Sequence, residues 1–148
     1  MRGQVSTELL VIVAIVLLIF IPLLVLVYFK ANEANQQIAT YQAELAVSRI
    51  ASLANSVGSL GTNTSVITDV YIPANTVYLA TNQSGRGSEI VLRLRTPDGE
   101  KDTPDVIKYP VSNPGPIVES TTTGGWIKLK ITSEYISGVA YVRIERFS

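Results

Sequence analysis

A long uninterrupted apolar run near the amino terminus constrains this chain more than any other feature. Residues 9–29, from Leu9 to Phe29, are 21 residues that are all apolar except Pro22, and none is charged. As an α-helix this run would rise about 32 Å, which matches the hydrocarbon core of a bilayer. A helix that is apolar on every side must be surrounded by lipid or by other helices. The sequence therefore predicts a membrane-spanning helix at 9–29.

A cleaved secretory signal peptide is the alternative interpretation of this run, but its apolar region would be only roughly 7–15 residues long. Here the run is longer, and a polar segment beginning at Lys30 follows it. Arg2 before the run and Lys30 after it give a narrow preference for a cytoplasmic amino terminus. The carboxyl part is then expected outside the cell. Pro22 lacks a backbone donor and crowds the carbonyl of Leu18, which predicts a kink.

The polar residues directly before the run have two interpretations. In the first, Ser6 or Thr7 caps the helix, and Glu8 lies in its first turn, where the helix dipole favours a carboxylate. In the second, the whole series is a processing signal. Gly3, Gln4, Ser6 and Glu8 stand at fixed places ahead of a membrane-length apolar helix.

This series resembles the class III signal peptide of archaeal type IV pilin precursors, over about the first 30 residues. The resemblance implies that a prepilin peptidase cuts the Gly3–Gln4 bond, so that residues 1–3 are a leader and Gln4 becomes the new amino terminus. The family pattern often has Leu at the position of Ile12, which is a minor departure. The printed chain begins at Met1, so it is either the precursor or a protein that is not cleaved.

The same resemblance implies partners and a location. Identical subunits would be the permanent partners in a helical homopolymer. The peptidase, an assembly ATPase and a membrane platform would be transient partners. The precursor would be inserted in the membrane and the product would be an extracellular adhesion filament on the cell surface. Glu8 would neutralise the amine of Gln4, its own or a neighbour's, because a lone carboxylate is costly in a helical core.

The helix is expected to continue beyond the membrane segment. Residues 30–57 contain no Gly or Pro and are dominated by good helix formers, while Gly58 and Gly61 are suited to ending a helix. A helix over 6–57 would be about 78 Å long, a length that suits a filament subunit. An apolar stripe at helical spacing is expected to pack on a head domain rather than in a coiled coil. Its members are Ile38, Tyr41, Leu45, Ala46, Ile50, Leu53 and Val57.

After Gly61 the hydrophobic period changes to two, which predicts β-strands. Six segments fit: 66–72, 76–79, 89–95, 106–109, 126–131 and 139–145. The third, fifth and sixth alternate cleanly between apolar and polar residues, which is typical of antiparallel strands with one buried face. The turn signals between the segments are Pro73-Ala74-Asn75, Gly85-Arg86-Gly87, Pro97-Asp98-Gly99, Asn113-Pro114-Gly115-Pro116 and Gly124-Gly125.

Together these patterns predict an α+β fold. A long amino-terminal hydrophobic α-helix, first membrane-spanning and then the core of the filament, would pack against a carboxyl-terminal antiparallel β-sheet or sandwich head. The expected organisation is a leader at 1–3, a long helix at 4–60 and a β-rich globular head at 61–148.

Composition excludes several classes of function. The chain has no Cys and no His, so it cannot build an ordinary zinc, haem or iron–sulfur site, a Cys or His nucleophile–base pair, or a disulfide. Its 12 basic side chains are balanced by 12 acidic ones, whereas a nucleic-acid-binding protein needs a net basic face. We therefore expect no enzymatic activity, cofactor, metal or nucleic acid.

One acidic loop is a candidate calcium site. Asp98, Glu100, Asp102 and Asp105 lie close together in the sequence, and oxygen ligands of this kind can bind calcium. However, the twelfth position from Asp98 is Tyr109 rather than the Glu of an EF-hand. A solvated hairpin turn is therefore the preferred interpretation.

Two sequons, Asn63-Thr64-Ser65 and Asn82-Gln83-Ser84, lie in predicted loops of the part expected outside the cell. Asn63 and Asn82 are therefore candidate N-glycosylation sites. The run Thr121-Thr122-Thr123 fits either O-linked sugar or a polar linker.

The leading hypothesis is a structural subunit of an extracellular type IV-like adhesion pilus, polymerising through its hydrophobic helix. A single-span membrane protein that displays an extracellular β binding module is the alternative. No motif in the sequence favours an exported enzyme.

Overall fold

The computed structural model describes residues 2–84 and 87–147, and the side chains of 6–83 and 87–147. The chain divides into two compact units, Met1–Gln37 and Ile38–Ser148. Met1 and two residues of the predicted turn, Gly85 and Arg86, lie outside the described residues.

In the first unit, helix α1 (Arg2–Leu60) contains the whole apolar segment 9–29 and continues through Pro22. Every side chain from Ser6 to Asn35 is exposed. The helix is long and apolar enough to cross a membrane, and none of its most apolar window is buried. Exposed apolar patches on soluble monomers rarely exceed a few hundred Å². The segment is therefore consistent with insertion in a membrane.

In the second unit, residues 38–60 of α1 supply one wall of the core. The buried face of the helix is built largely from small side chains, which allow its backbone to approach the strands closely. The buried residues are Ala43, Ala46, Val47, Ile50, Ala51, Ala54 and Val57.

The predicted apolar stripe is only half correct. Ala46, Ile50 and Val57 are buried, and Leu53 packs partly against the core. Its first three members are not in the core, because Ile38, Tyr41 and Leu45 are 52%, 62% and 71% exposed. The predicted stripe was placed on the largest apolar side chains. The face of α1 that packs against the strands instead begins at Ala43.

Within the described residues, seven strands follow the helix, and the pairings between them are antiparallel. They form a three-stranded sheet in the order β1-β6-β7 and a four-stranded sheet in the order β4-β3-β2-β5. Both sheets contribute to one core with α1, which confirms the predicted α+β fold. The strands are β1 Ser65–Ile72, β2 Thr76–Ser84, β3 Gly87–Thr96, β4 Gly99–Ile107, β5 Gly115–Val118, β6 Gly125–Ile136 and β7 Val139–Arg146.

The predicted alternation is confirmed in the central strands. Ile90, Leu92 and Leu94 of β3 are fully or almost fully buried, and so are Leu129 and Ile131 of β6. Their neighbours point to the other face of the sheet, as the two-residue period of a strand requires.

Among the strands that differ from the prediction, β4 and β5 both contain proline. β4 is Gly99–Ile107 rather than 106–109, and β5 occupies Gly115–Val118, where part of a turn was predicted. Both are edge strands, where a residue without an N–H is tolerated. Pro104 and Pro116 therefore lie within strands although each resembles a turn signal.

The burial of α1 gives a test of this core. Ile50→Ala should lower the free energy of unfolding by about 2–5 kcal/mol, because Ile50 is fully buried. Leu45→Ala should change it by less than about 1 kcal/mol, because Leu45 is mostly exposed. Urea unfolding of the full chain in detergent, followed by circular dichroism, measures both. Equal destabilisation by the two substitutions would show that this assignment of the buried face is wrong.

Candidate functional site

The amino-terminal series predicted as a processing signal lies inside a helix. α1 begins at Arg2, so Gly3, Gln4, Ser6 and Glu8 all have helical backbone. The side chains of Gly3 and Gln4 are outside those described. The alternative in which Ser6 or Thr7 caps the helix is wrong, because the helix starts four residues before Ser6, and Glu8 is beyond its first turn.

Glu8 stands at the boundary between this polar series and the apolar segment. Its side chain is exposed and borders a shallow depression lined also by Thr7, Val11 and Ile12. Val11 and Ile12 follow Glu8 by three and four residues, so they share its face of the helix. Within 6–83 and 87–147, no side chain forms a hydrogen bond or an ion pair with Glu8.

The other end of the apolar segment has the features of a membrane interface. The rings of Tyr28 and Phe29 meet edge to face, with their centroids 6.2 Å apart. Lys30 donates a hydrogen bond from Nζ to Oε2 of Glu33 at 2.8 Å. This contact raises the pKa of Lys30 and lowers the pKa of Glu33. Aromatic residues and a charged pair at the end of an apolar run are typical of a membrane interface.

Most of the acidic residues considered as a calcium site lie in a strand of the sheet. Glu100, Asp102 and Asp105 lie in strand β4 rather than in an extended loop. Asp102 is paired with Arg93 of β3 and accepts two hydrogen bonds from that guanidinium, one at 2.7 Å between Nη2 and Oδ2. Across the described ranges, 2–84 and 87–147, no group of three or more acidic side chains is arranged to bind a metal.

Arg93 is the centre of this charged cluster. Its guanidinium also lies 3.4 Å from Oε2 of Glu100 and 4.9 Å from the centre of the Tyr78 ring. The hydrogen bonds from Arg93 lower the pKa of Asp102, and the same contact raises the pKa of Arg93. The cluster therefore links β3 to the edge strand β4.

A cleft of about 500 Å³ lies between α1 and the region of Asp105 to Tyr109. Two of its hydroxyls bond to the helix itself, since Ser56 Oγ donates to the Ser52 carbonyl at 2.9 Å and Ser59 Oγ donates to the Ser56 carbonyl at 2.7 Å. Asn55 accepts a hydrogen bond from the N–H of Lys108 at 2.8 Å. Among the residues that the structure describes, no hydroxyl of this cleft donates to a carboxylate.

The two sequons lie in different environments. Asn63 is exposed in the turn between α1 and β1, with a positive φ of 64°, and its N–H donates to the Ser133 carbonyl at 3.2 Å. Asn82 is not in a loop as predicted but in strand β2. Its Nδ2 donates to Oε1 of Glu89 at 3.2 Å. The prediction ended β2 at Leu79, because the polar residues after it resemble a loop.

Comparison with protein-family models, with curated proteins and with solved structures finds no match to this chain. Its function must therefore be inferred from its own residues and their placement.

The Arg93–Asp102 pair predicts a pH-dependent contribution to stability. Because the pKa of Asp102 is lowered in the folded state, its contribution is present above the unfolded value of about 3.9 and is lost as the pH falls through the folded value. Asp102→Asn should cost about 0.2–1 kcal/mol at pH 7, since the pair is partly exposed and screened by water.

The cost of Asp102→Asn should shrink towards zero as the pH falls below about 4. Urea unfolding at a series of pH values measures it, with Asp98→Asn as a control that removes the same charge from the exposed turn before β4. A cost for Asp102→Asn that does not change with pH would contradict the role of the ion pair.

The environments of the sequons predict unequal glycosylation. Asn63 should be modified in preference to Asn82, because it lies in an exposed turn, whereas Nδ2 of Asn82 is hydrogen-bonded within a strand. Mass spectrometry of peptides from the native protein measures occupancy at both sites. A glycan on Asn82 with Asn63 unmodified would contradict this preference.

Proposed function

We propose that this chain is a structural subunit of an extracellular filament of the type IV pilus class. It is stored in the membrane, cut by a prepilin peptidase between Gly3 and Gln4, and polymerised through α1. The filament displays the β-rich unit and serves in adhesion at the cell surface. The observation that supports this most is an exposed apolar segment, 9–29, preceded by Glu8 and by the processing-type series.

The charge of Glu8 favours a filament over a simple anchor. A carboxylate at the edge of a segment that leaves water loses favourable hydration unless a positive charge compensates it. Cleavage after Gly3 creates such a charge, the amine of Gln4, only four residues from Glu8. A neighbouring copy can supply an equivalent amine when helices stack, whereas a lipid-bound anchor has no need of a carboxylate at this position.

The alternative is a single-span membrane protein whose β unit binds a partner outside the cell. The aromatic pair Tyr28 and Phe29 and the adjacent Lys30–Glu33 ion pair favour it, because ordinary membrane anchors end in this way. In this case the chain would remain uncut, and bilayer lipid alone would surround 9–29.

Amino-terminal sequencing of protein sheared from cells separates the two functions. A filament subunit should be recovered in high-mass material, with Gln4 as its first residue. Recovery of an intact Met1 in detergent-soluble monomers would contradict the filament and support the anchor.

Replacement of Glu8 tests charge neutralisation. Glu8→Ala should leave membrane insertion and cleavage intact but reduce the yield of filaments by about tenfold or more, because loss of one partner of a buried ion pair typically costs about 3–5 kcal/mol. Quantification of sheared filaments by immunoblot measures the yield.

Glu33→Ala is the matched control, because it removes a carboxylate from the same helix outside the apolar segment. It should assemble as the unmodified chain does. A normal filament yield for Glu8→Ala would contradict the neutralising role.

A further inference from the structure

One aspartate of the second unit differs from the others in the residue that follows it and in its place in the fold. Asp98 precedes Gly99, and the sequence contains no other Asp-Gly or Asn-Gly pair. Pro97 and Asp98 form the turn between β3 and β4, and the pairing of Thr96 with Gly99 closes this turn. Pro97, Asp98 and Gly99 are all exposed. The dipeptide therefore lies at the solvent-facing end of a hairpin.

The carboxylate of Asp98 is not held in place by a partner. Among the side chains described, 6–83 and 87–147, it forms no hydrogen bond and no ion pair, whereas Glu100, two residues later, lies 3.4 Å from Nη1 of Arg93. An exposed side chain without partners changes rotamer rapidly. The carboxyl group of Asp98 can therefore turn towards the backbone nitrogen of the residue that follows it.

The backbone at Gly99 leaves room for that approach. Gly99 has a φ of +125°, and a Cβ built on it would meet no atom within 4 Å. Glycine has no Cβ of its own and has the widest choice of backbone conformations. The Gly99 nitrogen can therefore come close to Cγ of Asp98 when the end of the hairpin opens, and exposed hairpin ends open at a small cost in free energy.

The other three aspartates of the chain lack this combination. Each lies in a strand and is followed by a β-branched residue, whose side chain restricts the neighbouring backbone. Two of their carboxylates also have partners, because Asp102 accepts hydrogen bonds from Arg93 and Asp105 accepts one from the N–H of Val106 at 2.7 Å. The three pairs are Asp69-Val70, Asp102-Thr103 and Asp105-Val106.

We propose that Asp98 is a site of spontaneous conversion to isoaspartate. The nitrogen of Gly99 attacks Cγ of the protonated Asp98 carboxyl group, a C–N bond forms, and the carboxyl hydroxyl leaves with the amide hydrogen as one water molecule. The product is a five-membered succinimide ring. One water molecule then opens the ring, so the reaction consumes nothing in total. Opening at Cγ restores aspartate, and opening at the main-chain carbonyl carbon gives isoaspartate.

Isoaspartate changes the turn, because the main chain then runs through the side-chain carbon of residue 98 and gains one backbone atom. The turn fixes the register of the two strands it joins, so the extra atom disturbs the pairing of Arg95 with Glu100 next to it. β4 is an edge strand and is hydrogen-bonded only to β3. The modification therefore loosens the beginning of β4, and this consequence does not depend on the proposed function.

Incubation in heavy-oxygen water tests the reaction directly. The full chain in detergent is kept for several weeks at physiological pH and temperature, then digested in ordinary water and analysed by mass spectrometry. Each opening of the ring places one heavy oxygen in residue 98, even when aspartate is restored. The label at Asp98 should be several-fold higher than the label at Asp69, Asp102 or Asp105. Equal labelling of the four aspartates would overturn the inference.

Asp98→Glu is the matched control, because it keeps the charge but would require a six-membered ring, which closes much more slowly. An isoaspartyl methyltransferase with labelled S-adenosylmethionine counts isoaspartate in the same samples. The unmodified chain should accept several-fold more methyl groups than the Asp98→Glu variant. Equal methylation of the two chains would place the isoaspartate elsewhere and overturn the inference. Neither result bears on the proposed function, because both are measured on unassembled chains.

Amide hydrogen exchange tests the effect on the strand. Chains that contain isoaspartate should exchange several-fold faster at residues 99–102 than fresh chains do, while residues 127–131 of β6 should be unchanged. The same exchange at 99–102 in both samples would contradict the loosening of β4.

Discussion

The exposed apolar surface of residues 9–29 is the constraint on which the rest of this structure depends. Within this segment the chain offers no polar face to water, so the segment needs lipid or other helices around it. Under the proposed function, a membrane would satisfy that need before assembly, and neighbouring copies of the same helix would satisfy it afterwards.

The same helix that contains this segment also completes the core of the second unit. Residues 38–60 of α1 contribute alanines and branched aliphatic side chains that pack with both sheets. The strands alone would leave that apolar surface exposed, so the sheets depend on the helix for their stability.

Some residues of this chain have a single structural interpretation in the sequence, and their secondary structure could be predicted. Others have two interpretations, and theirs could not. The alternation of Ile90, Leu92 and Leu94 has one interpretation, and the structure confirms it. Proline is common both in turns and in edge strands. For Pro104 and Pro116, only the order of the strands in the sheet shows which of the two applies. Large apolar residues such as Ile38 and Tyr41 suggested a buried stripe, but the buried face is decided by small residues that let the backbones approach.

The candidate site also has features that the sequence predicts and features that it does not. The position of Glu8 directly before the apolar segment is visible in the sequence, whereas the start of the helix at Arg2, which excludes the capping interpretation, is not. The strand position of Asn82 was missed because polar residues at the end of an exposed strand resemble a loop. The contact between the rings of Tyr71 and Trp126 also could not be predicted, because these residues meet only through the pairing of β1 with β6.

Helical reconstruction of sheared filaments by electron cryomicroscopy tests the central claim most directly. If the chain is a filament subunit, residues 9–29 of neighbouring copies should pack against one another along the filament axis. The carboxylate of Glu8 should lie within hydrogen-bonding distance of an amine of Gln4. Filaments built without this helix at their centre, or a chain found only as a lipid-surrounded monomer with its first three residues intact, would contradict it.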